Sequence, residues 1–272
     1  MRVRIGIACA VAVLAIVAGA VLWPKSGKAP TRVRVAAATT STTTTSTTIA
    51  TTTTTTEPAT TTTTTVAPPV HSFEAADAVV PAVKLYDAPG ATASTGSLPN
   101  PTAEQVPLAF LVKANGPPGW LQVQLARRPN ESTAWIHAED VSLRQVDNRI
   151  VIERSARQLT VYRGDSDEVL FQTSVATGAP KTPTPLGDFF IDIVVKLTNP
   201  NGVYGPFQLS VAAFSDVLQS FDGGPAQIAI HGTNRPDLVG KFVSNGCVRL
   251  NNRDITALQP LVPVGTPVQI VA

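Results

Sequence analysis

The stretch from Ile230 to Leu250 holds the only histidine, His231, and the only cysteine, Cys247, found after residue 137. A thiol reacts as the thiolate, and a free one has a pKa of about 8.5, so it needs a base or a cation nearby to act at neutral pH. The spacing suits a strand ending in His231, a loop, and a turn that presents Cys247. Histidine as base beside cysteine as nucleophile is the arrangement that activates a weak nucleophile for acyl transfer. Gly246 permits a tight backbone just before the thiol, so the N–H groups of Gly246 and Cys247 are candidates for holding a developing oxyanion. Arg249 lies two residues beyond and, on a strand, shares the face of the thiol. It is a candidate for steadying the thiolate or holding a substrate carboxylate. The bland alternative for Cys247 is a buried, inert small side chain.

The elements that position these residues follow from the chain's composition. Six basic residues (Arg2, Arg4, Lys25, Lys28, Arg32, Arg34) fall in the first 35 positions without an acid among them. They exceed the formal net charge of +2, so the remainder is mildly acidic. No basic nucleic-acid footprint remains. Ile5 to Trp23 is an uninterrupted apolar and small-residue run, long enough for the roughly 30 Å hydrocarbon core of a bilayer. Arg2 and Arg4 before it predict a cytoplasmic N-terminus and an exported remainder. Residues 1–35 are therefore expected to be an N-terminal transmembrane anchor, with a signal sequence cleaved after Ala18-Gly19-Ala20 as the alternative. Cys9 reads as a residue of that helix. Residues 36–72 are mostly threonine and are expected to form a disordered tether, too poor in apolar surface to offset the entropy of ordering.

From there the alternation predicts strands throughout. Residues 82–86, 108–112, 121–125 and 133–137 alternate with period two and are separated by Pro, Gly and Asn, which argues a small all-β barrel over residues 73–147. Residues 149–154, 158–163, 169–176, 187–195, 227–231 and 268–271 form a second strand-rich set over residues 148–272. Only Asp254 to Leu261 reads as helix, with Asn251 or Asn252 as its cap. Pro183 and Pro185 exclude an interior strand over Thr182 to Gly187, since proline offers no ladder donor, and Tyr204 to Ser210, with Gly205-Pro206, reads as a bent or edge strand. The fold class is all-β: a small barrel, then a β-sandwich with one short helix.

The block from Gly119 to Val123, followed by Ala134 to His137, resembles bacterial SH3-like domains of cell-wall enzymes, which implies a wall- or peptide-binding module. Residues 149–272 resemble the catalytic domain of the L,D-transpeptidases, which cross-link bacterial peptidoglycan. The carriers are Thr182 to Gly187, Ile230 to Thr233, and above all Ser244 to Leu250. The family motif is a histidine, a spacer, then Ser/Thr-His-Gly-Cys; here Asn245 stands before the glycine in place of histidine. The resemblance implies Cys247 as nucleophile, His231 as general base and acid, and the Gly232 carbonyl as the group that orients the imidazole. It places Gly246 at the oxyanion and Asn245 and Arg249 toward substrate, with Ser244 bonded either to substrate or to the turn. It further implies stem peptides as substrates, capture by carbapenems, an extracytoplasmic site, and no metal or other cofactor. A carboxypeptidase using water as acceptor and an inactive wall-binding protein are the alternatives. A sortase-like reading fails because the Thr-Leu-x-Thr that precedes a sortase cysteine is absent.

Overall fold

The computed structural model describes residues 72–272. The expected anchor and all but the last residue of the expected tether lie outside the described residues. Among those described, no helix is long and apolar enough to cross a membrane.

The first module runs β1 (Phe73–Ala78), β2 (Ala82–Leu85), β3 (Gly96–Pro99), β4 (Ala109–Asn115), β5 (Trp120–Gln124), β6 (Thr133–His137) and β7 (Val141–Val146). Five of these strands make a sheet in the order β6-β5-β4-β1-β7, and β2 pairs with β3 in a separate ribbon. A bridge between Tyr86 and Trp135 ties the ribbon to β6. Alternate residues turn inward (Leu121 and Val123 on β5, Ala134 and Ile136 on β6) to meet Val83, Leu85 and Phe110 in one core. Each such side chain taken fully out of water contributes on the order of 1.5–3 kcal/mol.

The second module runs β8 (Asn148–Glu153), β9 (Gln158–Arg163), β10 (Val169–Ser174), β11 (Thr177–Gly178), β12 (Gly187–Lys196), β13 (Phe207–Phe214), β14 (Gln227–His231), β15 (Phe242–Ser244), β16 (Val248–Arg249), α1 (Asn252–Leu258) and β17 (Pro267–Val271). Eight strands form a mixed sheet in the order β10-β9-β8-β17-β12-β13-β14-β16. The last strand inserts beside the first, β17 running parallel to β8. Ile255 and Leu258 of α1 share one buried core with Ile150, Ile152, Phe189, Ile191 and Val248. The helix is shorter than expected: it ends at Leu258, and Gln259–Leu261 tightens into a 3₁₀ turn. The bent strand expected from Tyr204 begins only at Phe207. The preceding Gly205 has φ +66°, a conformation that ends strand geometry.

The two modules pack on each other. Leu111 meets Phe190 and Ala212 in a small shared cluster. Arg128 donates to the carbonyls of Ser215 and Leu218, both at 2.8 Å. Asn130 donates to Phe214 O at 2.9 Å and accepts the Phe214 N–H at 2.8 Å. These bonds pin the start of the loop that leads from β13 round to β14.

Candidate active site

The site is built on β14 and β16, which pair in parallel with Ile230 opposite Val248 and His231 opposite Arg249. Leu250 N–H donates to His231 O at 2.9 Å, locking the register. His231 ends its strand at 2 % exposure, and its Nδ1 lies 2.6 Å from Gly232 O. A carbonyl can only accept, so that contact puts the ring proton on Nδ1 and leaves Nε2 with a free lone pair. The contact joins the two groups that the resemblance pairs. Gly232 must itself be glycine: a Cβ would strike Asn252 Oδ1 and approach Gly205 Cα to 2.9 Å. The rings of Tyr204 and His231 pack in an edge-on arrangement, with centroids 4.8 Å apart.

Cys247 follows a short turn whose backbone is braced from beneath. The Ser244 hydroxyl donates to Cys247 O at 2.6 Å and accepts the Gly246 N–H at 3.1 Å. Ser244 is 1 % exposed, and of its two expected roles its side chain takes the one that holds the turn. The same bond occupies the Gly246 N–H expected at the oxyanion. Gly246 has φ +120°, and a Cβ there would come within 2.7 Å of Ile228 Cδ1. Thr184 supports the turn from the proline loop, donating to Gly246 O at 2.8 Å and accepting the Gly178 N–H at 2.9 Å. Thr184→Val keeps the shape and leaves both backbone groups buried without partners. It should cost about 3 kcal/mol in urea unfolding at roughly 1–3 kcal/mol per orphaned group, and an unchanged midpoint would refute the bracing role.

Cys247, His231, Tyr204, Asn245 and Arg249 open into one cavity of about 580 Å³. Cys247 is half-buried, without a disulfide partner, so the thiol is neither sealed in hydrocarbon nor on the opposite face from the imidazole. Burial pushes its pKa up, and the Ala229 amide and Arg249 pull it back only in part. Burial likewise drives His231 down to about 4, against the Gly232 bond, with Arg249 lowering it further. At neutral pH the cavity therefore holds a thiol and a neutral imidazole, both shifts favouring the uncharged forms. Arg249 carries a buried Nε without a protein hydrogen-bond partner. Tyr204 and the Ala229 amide escape sequence reasoning: Tyr204 stands outside every motif, and the Ala229 contribution is pure backbone. Among the described residues, no cluster of three or more His, Cys, Asp or Glu could hold a metal.

A thiol and an imidazole sharing an open cavity at the edge of a mixed β sheet define the class to which this fold belongs. The family described as the L,D-transpeptidase catalytic domain (YkuD) matches residues 147–270. YqjB of Bacillus subtilis, designated an L,D-transpeptidase, is 36 % identical over 131 residues, covering 46 % of this chain and 71 % of that protein. YkuD of Bacillus licheniformis, with the same designation, is 36 % identical over 122 residues, covering 45 % of this chain. The chain spans 64 % of the length of that relative. A solved L,D-transpeptidase from Mycobacterium smegmatis is 20 % identical with a TM-score of 0.36, covering 56 % of this chain and 91 % of its own. The chain belongs to the L,D-transpeptidase family.

Proposed function

We propose that the protein cross-links peptidoglycan by two-step acyl transfer through Cys247. The observation that carries this reading is the Nδ1 contact of His231 with Gly232 O, which leaves Nε2 basic in the cavity that also holds the thiol. In the first step Cys247 Sγ attacks the carbonyl that precedes the terminal D-alanine of a tetrapeptide stem, and His231 Nε2 accepts the thiol proton as the C–S bond forms. The imidazolium then delivers that proton to the departing amine as the C–N bond breaks, leaving a thioester and free D-alanine. In the second step the side-chain amine of a diamino acid on a neighbouring stem attacks the thioester. His231 takes the amine proton and returns it to the departing sulfur.

Because both groups rest neutral, charge separates only as the proton crosses from sulfur to nitrogen. The Ala229 amide and Arg249 are placed to favour the transient thiolate, which is where preorganised dipoles act best. With the Gly246 N–H taken by Ser244, the Cys247 N–H is assigned to the oxyanion. The unpartnered Nε of Arg249 and the exposed Asn245 are assigned to the stem peptide. Family membership adds covalent capture of Cys247 by carbapenems. Residues 1–35 are assigned to a membrane anchor that leaves residues 73–272 outside the cell, and the first module, read as SH3-like, to contact with the wall. The test is to give the full-length protein a purified disaccharide-tetrapeptide and follow products by mass spectrometry. D-alanine and cross-linked dimer should appear in equal amounts. D-alanine without dimer would replace the amine acceptor with water, and no D-alanine at all would overturn the reading.

A further inference from the structure

A second cavity, of about 250 Å³, lies where the two modules meet, lined from β3, the following loop and β4 on one side and from β12 and β14 on the other. Its walls include Leu98, Leu108, Phe110 and Ile193, and no Lys, Arg or His contributes to them. Asp192 stands at the one position where β12 departs from regular pairing: Ile191 faces Val211 and Ile193 faces Ser210, so Asp192 is the extra residue of a bulge. Bulges re-aim side chains, and they recur beside functional sites. Here the bulge directs a carboxylate into apolar surroundings. One oxygen, Oδ2, accepts from Gln227 Nε2 at 2.8 Å. The other, Oδ1, is buried with no partner, and so is Thr102 Oγ1 on the opposite wall. A buried unpaired acceptor costs on the order of 1–3 kcal/mol, so a protein keeps one where something else satisfies it.

We infer that this junction cavity is a binding site for a primary alkylammonium group, with Asp192 Oδ1 and Thr102 Oγ1 accepting from the ammonium and the apolar walls enclosing the carbon chain. Glu104, at the rim, adds negative charge. Burial raises the Asp192 carboxyl to about 6, with the Gln227 bond and the backbone amides of Asp192 and Ile193 opposing and Glu104 adding to the rise, which still leaves it ionised at neutral pH and without a counter-charge. Two oxygens are too few for a calcium ion, which takes six or more, whereas an ammonium with three donors is matched by a carboxylate, a hydroxyl and one further acceptor. Gln227 lines this cavity and the catalytic one alike, and it opens the strand that ends in His231.

The experiment is a chemical-shift titration of the isotope-labelled full-length protein at pH 7.5 with n-pentylamine, with n-pentanol as the uncharged control. Pentylamine should shift the amides of Asp192 and Gln227 and bind at least about tenfold more tightly than pentanol, the equivalent of one charge-assisted hydrogen bond. Asp192→Asn, which still accepts from Gln227, should erase that difference, and Thr102→Val should weaken the amine several-fold. Equal affinity for amine and alcohol, or an amine affinity untouched in Asp192→Asn, would overturn the assignment. Should Asp192→Asn fail to fold, the comparison of amine with alcohol on the native protein and on Thr102→Val decides alone. None of these readouts depends on transpeptidation.

Discussion

Under the proposed reaction, Cys247→Ala should stop D-alanine release, lowering kcat for a tetrapeptide stem by at least about 10³-fold while leaving stem binding and thermal stability near native. The size follows from losing the covalent route altogether, since removing a nucleophile that acts with its base disables the pair as a unit. Stability should hold because Cys247 is a half-buried residue of the cavity lining and the turn is held by Ser244, Thr184 and Gly246, none of which the substitution touches. Intact-mass measurement after exposure to a carbapenem gives a second readout: the native chain gains a covalent adduct and Cys247→Ala gains none. Release within a few-fold of native would remove Cys247 from the chemistry. An adduct that persists on the variant would locate the reactive group elsewhere.

Much of the fold is legible because the strands of the second module are periodic and bounded. Gln158–Arg163 and Gln227–His231 have the limits that alternation and flanking turns predict. The first strand of the first module is not legible. Phe73–Ala78 reads Phe-Glu-Ala-Ala-Asp-Ala, a composition poor in β-branched residues, yet it sits between β4 and β7 and pairs with both. Tertiary pairing overrides weak intrinsic preference there. β13 is legible only at its start, for a different reason. Its buried run from Leu209 to Phe214 lacks alternation because both faces are covered, and periodicity cannot separate such a run from a buried helix.

At the site, residue types single out Cys247 and His231 as candidates, and the Gly232 contact is implied only by the family resemblance. The division of labour within the turn does not. Whether Ser244 faces substrate or backbone depends on which way one hydroxyl points, and the hydrogen bonds to Cys247 O and Gly246 N settle that only in three dimensions. Protonation is equally invisible in one dimension. The local sequence offers Arg249 as a cation, which favours a thiolate, but desolvation outweighs it at Cys247 and acts with it at His231. The junction cavity is composed of residues from β3, the loop after it, β12 and β14, and no local motif connects them.

That same burial makes the pH dependence of stability a sharp measurement, because two groups act in opposite directions. His231, ordinarily near 6.5, is held to about 4 in the folded protein. Between those values the unfolded chain binds a proton that the folded chain refuses, so stability present above pH 6.5 is lost as pH falls toward 4, by about 3 kcal/mol. Asp192, ordinarily near 3.8, is raised to about 6. There the folded chain keeps a proton that the unfolded chain releases, so stability present below pH 3.8 is lost as pH rises through 6, again by about 3 kcal/mol. Over the shared window from about 4 to 6 the two contributions nearly cancel in the native protein. His231→Gln should expose the Asp192 slope, its urea-unfolding free energy falling between pH 4 and pH 6. Asp192→Asn should expose the His231 slope and rise over the same interval. Parallel curves for the two variants would show that neither group is held in its neutral form by the fold. The catalytic consequence shares this origin: with Nε2 unprotonated down to about pH 4, the acid limb of kcat/KM should fall near 4, well below the ordinary titration of histidine.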